Sequence, residues 1–436
     1  VGQRIAIVGT GISGLGAAWA LCEDNDITVF EADSRIGGHS NTVDVETPNG
    51  PLAVDTGFIV YNEVTYPNLT RLFSSLGVST EPSDMSFAFS LDRQFEYGAS
   101  LGGVLAEPGN LVSPRFLRML RDINRFRRIG TMLKPEAGEN IGELLERYGF
   151  SQGFLDDYLY PMTGAIWSAK RSDVSLFPAA STLRFLANHG LIEIVGRPKW
   201  RTVAGGSRSY VNRLVMPFAD RIRTNSPVNR IVRLGGQVLV ESNGQTESFD
   251  QIILATHSDQ ALAILGEDAT DTERALLGAI RYESNVAVLH SDSSLMPRSR
   301  RVWSSWNAMA EEAGRCHQVA SVTYWMNRLQ NLDPSYPLFV SLNPLREPDP
   351  GQVHARFAYA HPQFVPESVA AQRGLATIQG LSNTWFAGAY LGYGFHEDGL
   401  QSGLNVAAAL GFPVPWHGTF EPVSSALSFK RMAVVA

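Results

Sequence analysis

Cysteine is nearly absent. Cys22 and Cys316 are the two in 436 residues. That excludes a disulfide framework and a cysteine-rich zinc site, and it fits a reducing compartment. Lysine is almost as scarce: Lys134, Lys170, Lys199 and Lys430 stand beside 32 arginines. Charged residues make up 18%, below the usual ~25%. With 44% apolar residues, a chain this long buries a large core, which excludes disorder and a fibrous architecture. No apolar run reaches the ~18 residues of a membrane span. A strand pattern starts at Arg4 with no leader pattern before it, so a cytoplasmic location is expected. The net charge of −7 argues against a general nucleic-acid binder.

Glycine, by contrast, is abundant at 40 residues, and its clusters carry the chemistry. Arg4–Val8 has the pattern of a short buried strand. Gly9-Thr-Gly11-Ile-Ser13-Gly14 follows, then a small-residue helix from about Ser13 to Cys22. Ile27–Phe30 is a second buried strand ending at Glu31, 22 residues after Gly9. Gly9 permits a tight turn, Gly11 lets backbone approach a pyrophosphate, and Gly14 lets the helix pack on the sheet. The helix N-terminus offers N–H groups to negative charge, and Glu31 is placed to accept hydrogen bonds from a ribose. This predicts a dinucleotide site; a glycine-rich turn in an ordinary α/β sheet is the bland alternative.

The next stretch, Glu31-Ala-Asp-Ser-Arg35-Ile-Gly37-Gly38-His39, resembles the E-x-x-x-R-x-G-G segment of the FAD-dependent amine oxidase and phytoene desaturase superfamily. The resemblance implies that Arg35, Gly37 and Gly38 wrap the diphosphate of FAD, with His39 standing where an arginine is usual. Val54-Asp-Thr-Gly57-Phe-Ile-Val-Tyr61-Asn resembles the stretch that passes close to the flavin, which puts Gly57 at the cofactor. Tyr61 either faces the substrate or is a core aromatic. Near the other end, Thr384-Trp-Phe-Ala-Gly388 and Gly392-Tyr-Gly-Phe395-His396-Glu397-Asp-Gly399 resemble the superfamily's second FAD motif. There backbone N–H groups at a helix start hold the flavin pyrimidine. His396 and Glu397 are the candidate bases by position; helix capping is the alternative role for both. Val228, by position, is the expected adenine-side contact.

The layout follows. The fold class is α/β, a Rossmann-like FAD-binding domain with a second domain of mixed sheet and helices. Residues 1–60, 203–275 and 382–412 are expected to form the first domain, 61–202 and 276–381 the second, and 413–436 a tail. Asn41–Val54 is predicted to be a hairpin turning at Asn49-Gly50. Pro227–Leu234, Gln237–Ser242 and Phe249–Ala255 are predicted to be short strands joined by Gly235-Gly236 and Asn243-Gly244. Residues from about 104 to 200 read as mostly helical. Val319–Trp325 and Val353–Tyr359 alternate as strands of a sheet roofing a pocket.

Two departures bear on the branch. The monoamine oxidases carry a lysine water-bridged to the flavin, and this chain has none between Lys199 and Lys430. Phe395 stands where their second motif has a cage tyrosine. The motifs R-I-G-G-H-S-N-T, V-D-T-G-F-I-V-Y-N and A-G-A-Y-L-G-Y-G-F-H-E-D-G look instead like a bacterial FAD-binding oxidoreductase family associated with cyclopropane-fatty-acid-synthase-like methyltransferases. That resemblance implies hydride removal from a fatty acyl chain, with a methyltransferase as partner. Amine oxidation, polyene or carotenoid desaturation or isomerisation, and a non-catalytic flavin-binding role remain as alternatives. Independently, Arg115, Arg118, Arg121, Arg125 and Arg128 recur at spacings of three and four, with Phe116, Leu120, Ile123 and Phe126 on another face. This is either a surface that meets an anionic membrane at its inner face or a solvated charged face over an ordinary core stripe.

Overall fold

A computed structural model describes residues 2–192, 198–312 and 320–418. A five-stranded parallel sheet holds the two ends of the chain together. Its order is Ile222–Arg223, Asp26–Phe30, Arg4–Val8, Gln251–Leu254 and Thr384–Phe386. Arg4–Val8 is flanked on both sides and buried from Ile5 onward. An unbroken apolar run suits that position, because a parallel strand is covered on both faces. The helix Ile12–Leu21 and the last described helix, His396–Ala409, pack against each other on one side of this sheet. Three antiparallel strands, Val228–Leu234, Gln237–Ser242 and Gln245–Phe249, form a separate meander.

The meander differs from expectation at its third strand. The third meander strand is Gln245–Phe249, ahead of the expected Phe249–Ala255; after a break at Asp250, Gln251–Leu254 of that expected strand belongs to the parallel sheet. The Asp250 carboxylate accepts from the Arg4 N–H at 2.8 Å, and its own N–H donates to the Arg4 carbonyl. The chain is thereby handed from the meander to the parallel sheet.

A seven-stranded mixed sheet forms the second layer. Its order is Val353–Pro362, Tyr282–His290, Phe339–Leu342, Ser321–Trp325, Trp306–Ala310, Phe87–Leu91 and Phe95–Gly98. The hairpin Thr42–Val45 with Leu52–Asp55 is present, with Gly50 in its turn at a φ of +107°. Tyr61–Asn62 and Thr80–Pro82 each pair with Trp200–Val203. Helices fill 101–188, the longest being Pro114–Ile129, and one turn over Leu155–Leu159 is a π-helix. Val319, Cys316 and the tail from 419 onward lie outside the described residues. The described residues before it are docked: Trp416 stacks on Trp19 at 5.9 Å and donates to the Asn68 side chain at 3.1 Å.

Candidate functional site

The first turn is built as its glycines require. Gly9 has a φ of +103°, in the region that favours glycine, and its N–H donates to the Phe30 carbonyl. A Cβ at Gly14 would stand 2.0 Å from the Gly9 oxygen, so only glycine fits. At Gly11 a Cβ would meet nothing within 4 Å. Gly11 is also the N-cap of a helix with no side-chain cap, so open space stands over uncapped N–H groups. Glu31 closes the turn from the next strand. Its carboxylate accepts from the Thr10 N–H and hydroxyl and from the Asp33 N–H.

The Gly37-Gly38 loop lies directly on this turn. The Gly37 N–H donates to the Thr10 carbonyl, and a Cβ at Gly38 would come within 3.0 Å of the Gly11 Cα. Arg35 braces the loop from within, donating to the carbonyls of Ile36, Gly38 and Ser40 at 2.8–3.2 Å. Gly57 seals the far side, where a Cβ would be 2.2 Å from the His39 oxygen. Val228 opens the meander beside Glu31. The Glu31 N–H donates to the Arg223 carbonyl, and the Ser226 N–H donates to the Glu31 carbonyl.

The C-terminal motif meets this assembly at contact distance. A Cβ at Gly403 would be 2.1 Å from the Ser13 carbonyl oxygen, and one at Gly399 would touch Ile12 and the Ser13 hydroxyl. The Gly388 N–H donates to Ser402 Oγ at 2.8 Å, tying the strand end to the helix. The Phe395 N–H donates to Asp398 at 2.9 Å and starts the helix at His396. Two helix N-termini therefore converge from opposite ends of the sequence, the first without a side-chain cap and the second closed by Asp398 on the Phe395 N–H.

Aromatic and imidazole rings line the space in front of them. His39 stacks on Tyr359 at 4.9 Å and lies 5.6 Å from His361 and 6.2 Å from His257. Burial and the neighbouring histidines push its pKa well down, and its Nε2 is buried with no hydrogen-bond partner among the described residues. His361 and His257 come from the mixed sheet and from the end of a parallel strand. Neither stood out in the sequence, because each is a lone histidine in its segment. His361 Nδ1 lies 3.0 Å from Ser168 Oγ, and burial lowers its pKa to about 4.

The expected bases are placed differently from one another. His396 stacks on Phe58 at 3.9 Å, and its Nε2 lies 2.6 Å from the Tyr210 hydroxyl. Burial lowers its pKa to about 3, which leaves a weak base. Glu397 turns away from the rings. It accepts from the Asn68 N–H at 2.9 Å, the Asn68 amide at 2.7 Å and the Leu69 N–H at 3.0 Å. It thus caps the helix Pro67–Leu76, the capping role expected of it as the alternative to a catalytic base. Burial raises its pKa to about 7 against the pull of those donors. Tyr61 takes the second of its two expected roles, that of a core aromatic. It packs edge-on against Phe73 at 5.2 Å and Tyr66 at 6.3 Å, inside the core beneath the parallel sheet.

Asp55 is a structural hub that the sequence reading missed. It accepts from Thr42, from Ser207 through both N–H and hydroxyl, and from Gln330 of the second layer, at 2.6–3.0 Å. Burial raises its pKa to about 6. Its only signal was an acid in the middle of an apolar run, just before Thr56-Gly57.

The open space over Gly11, the bare helix start beside it, the second helix start that meets it and the orphaned His39 nitrogen fit a dinucleotide carrying an aromatic ring system. Comparison with known proteins agrees. The family model for flavin-containing amine oxidoreductases matches residues 12–290. The chain belongs to this family of FAD-dependent oxidoreductases. A chloroplast and mitochondrial protoporphyrinogen oxidase 2 of Arabidopsis thaliana is 26% identical over 220 residues. That match covers 43% of this chain and spans 41% of the length of the plant protein. Cyclohexylamine oxidase from Brevibacterium oxydans has a similar fold, with a TM-score of 0.67 and 18% identity, covering 94% of this chain and 99% of that one. A conjugated-linoleic-acid-producing fatty acid isomerase from P. acnes has a TM-score of 0.65 at 15% identity, covering 93% and 98%. FAD is the family's cofactor. Gly9, Gly11, Ser13, Gly14, Glu31, Arg35, Gly37, Gly38 and the helix start at His396 are the residues that would hold it.

Proposed function

We propose that this protein oxidises an apolar carbon substrate, a fatty acyl chain, which would pass hydride to FAD and release the neighbouring proton to solvent. One observation carries the reading. A contiguous apolar cluster runs from the inner face of the helix Pro114–Ile129, at Phe116 and Phe126, through Trp167, Phe177 and Phe185 to Tyr393. Phe395, at the start of the cofactor-binding helix, packs on its end, parallel to Phe185 at 5.1 Å. Trp167 Nε1 donates to the Tyr393 carbonyl at 3.1 Å and fixes the cluster to the second motif. Apolar surroundings of this kind exclude water and suit a hydrocarbon, whereas an ammonium group needs charged or carbonyl partners.

Bound FAD supplies hydride acceptance; the chain supplies placement and a dry wall. The absence of lysine between Lys199 and Lys430 supports a branch distinct from the monoamine oxidases. The likeness to oxidoreductases associated with cyclopropane-fatty-acid-synthase-like methyltransferases supports the acyl substrate and makes such a methyltransferase the proposed partner. The fold by itself does not choose, since fatty acid isomerase and amine oxidase folds match about equally well.

The test is anaerobic bleaching of the bound flavin. Unsaturated or methyl-branched fatty acids and their phospholipids should bleach it, and primary amines should leave it yellow. Bleaching by amines alone would replace this reading with amine oxidation. Bleaching by polyenes alone would favour desaturation of that class.

A further inference from the structure

Among the described residues, half of the twelve exposed large apolar side chains fall between residues 101 and 132. They are Leu101, Leu105, Leu111, Val112, Leu117 and Met132, with Leu101 84% and Val112 80% exposed. They surround the helix Pro114–Ile129. Its inward face is Phe116, Met119, Ile123 and Phe126. The opposite face, at spacings of four, three and four, is Leu117, Arg121, Asn124 and Arg128, all exposed, with Arg118 beside it. Arg118 and Arg128 have no acidic partner among the described residues, and Arg121 approaches only the buried Asp122 at 3.5 Å. The basic face is narrower than the sequence predicts. Arg115 turns back onto Asp157 at 2.6 Å, and Arg125 covers the Phe150 ring while donating to the Tyr148 carbonyl.

We propose that this face docks on an anionic phospholipid bilayer. Exposed leucine and valine on the short helical turns Leu101–Val104 and Pro108–Val112 suit the acyl boundary, and the arginines of the next helix suit headgroup phosphates. The charge is local and positive on a chain whose net charge is −7, so the attraction is confined to this face. A nucleic acid would use the arginines and leave the apolar tips in water. A protein partner would need carboxylates spaced between apolar pockets, and is the outcome to be told apart. No described helix is long and apolar enough to cross a membrane, so the contact is peripheral. Directly behind the face lies the apolar cluster that ends at Phe395. The docking does not depend on which substrate is oxidised.

The experiment is co-sedimentation of the FAD-loaded protein with vesicles of phosphatidylcholine, with and without phosphatidylglycerol. The protein should sediment with the mixed vesicles, weakly with phosphatidylcholine alone, and less as salt rises. Replacing Arg118, Arg121 and Arg128 by Gln should weaken binding by about fivefold per arginine. Leu101→Ser with Val112→Ser should also release the protein. All five positions are exposed, so flavin absorbance and thermal unfolding should stay as in the parent. No sedimentation of the parent, equal binding to neutral vesicles, or binding untouched by the arginine changes would overturn the proposal. A protein that binds vesicles yet is not bleached by acyl chains keeps this surface and loses the proposed substrate.

Discussion

At the scale of single residues, neighbouring positions in one motif do unrelated work. Glu397 sits next to His396 in sequence, yet its carboxylate serves a helix more than 300 positions earlier. Glu397→Gln replaces one accepting oxygen with a donor that faces an N–H. This should cost about 1–3 kcal/mol of stability, measured by urea unfolding, while the flavin still present bleaches at near-parental rate. A variant of parental stability whose bleaching has collapsed would return Glu397 to catalysis. Glu31→Ala removes the acceptor of two N–H groups and the Thr10 hydroxyl and would leave a bound ribose without a carboxylate to accept from it. FAD affinity should fall roughly tenfold or more, by analogy with the loss of a charged hydrogen bond. Titration of apoprotein with FAD checks this.

At the scale of elements, the glycine contacts between the first and last described helices set the site. Gly403→Ala places a methyl against the Ser13 carbonyl. It should cost about 1–3 kcal/mol and speed flavin loss, read as free FAD after gel filtration. Both glycine turns were legible because their constraints are local: a positive φ, a close approach, a helix start. The same locality explains what was hidden. The face of Pro114–Ile129 follows from its spacing, but the inward turn of Arg115 and Arg125 depends on Asp157 and Tyr148, two or more helices later. The break at Asp250 depends on Arg4, which no pattern around residue 250 contains. Tyr61 lies among apolar neighbours in sequence, and only the tertiary packing shows that its ring belongs to the core.

At the scale of the whole molecule, buried titratable groups set the pH range of the fold. His189, His290 and His361 have pKa values lowered to about 4, and His396 to about 3. The unfolded chain binds protons that these rings refuse when folded, so stability is lost as pH falls from about 6.5 toward 4. The raised carboxyls act in the opposite sense. Asp55 near 6, with Glu397 and Asp398 near 7, lose stability as pH rises through the same range. The histidine set is larger, so the urea midpoint should climb between about pH 4.5 and 6.5. A midpoint that falls over that interval would contradict this balance. The union of the two chain ends also orders events in time. Residues 12–21 lack a large part of their final packing until residues 396–409 are present. A nascent chain on the ribosome therefore carries half a binding site for several hundred residues, and capture of the yellow cofactor waits until residues 396–409 have emerged.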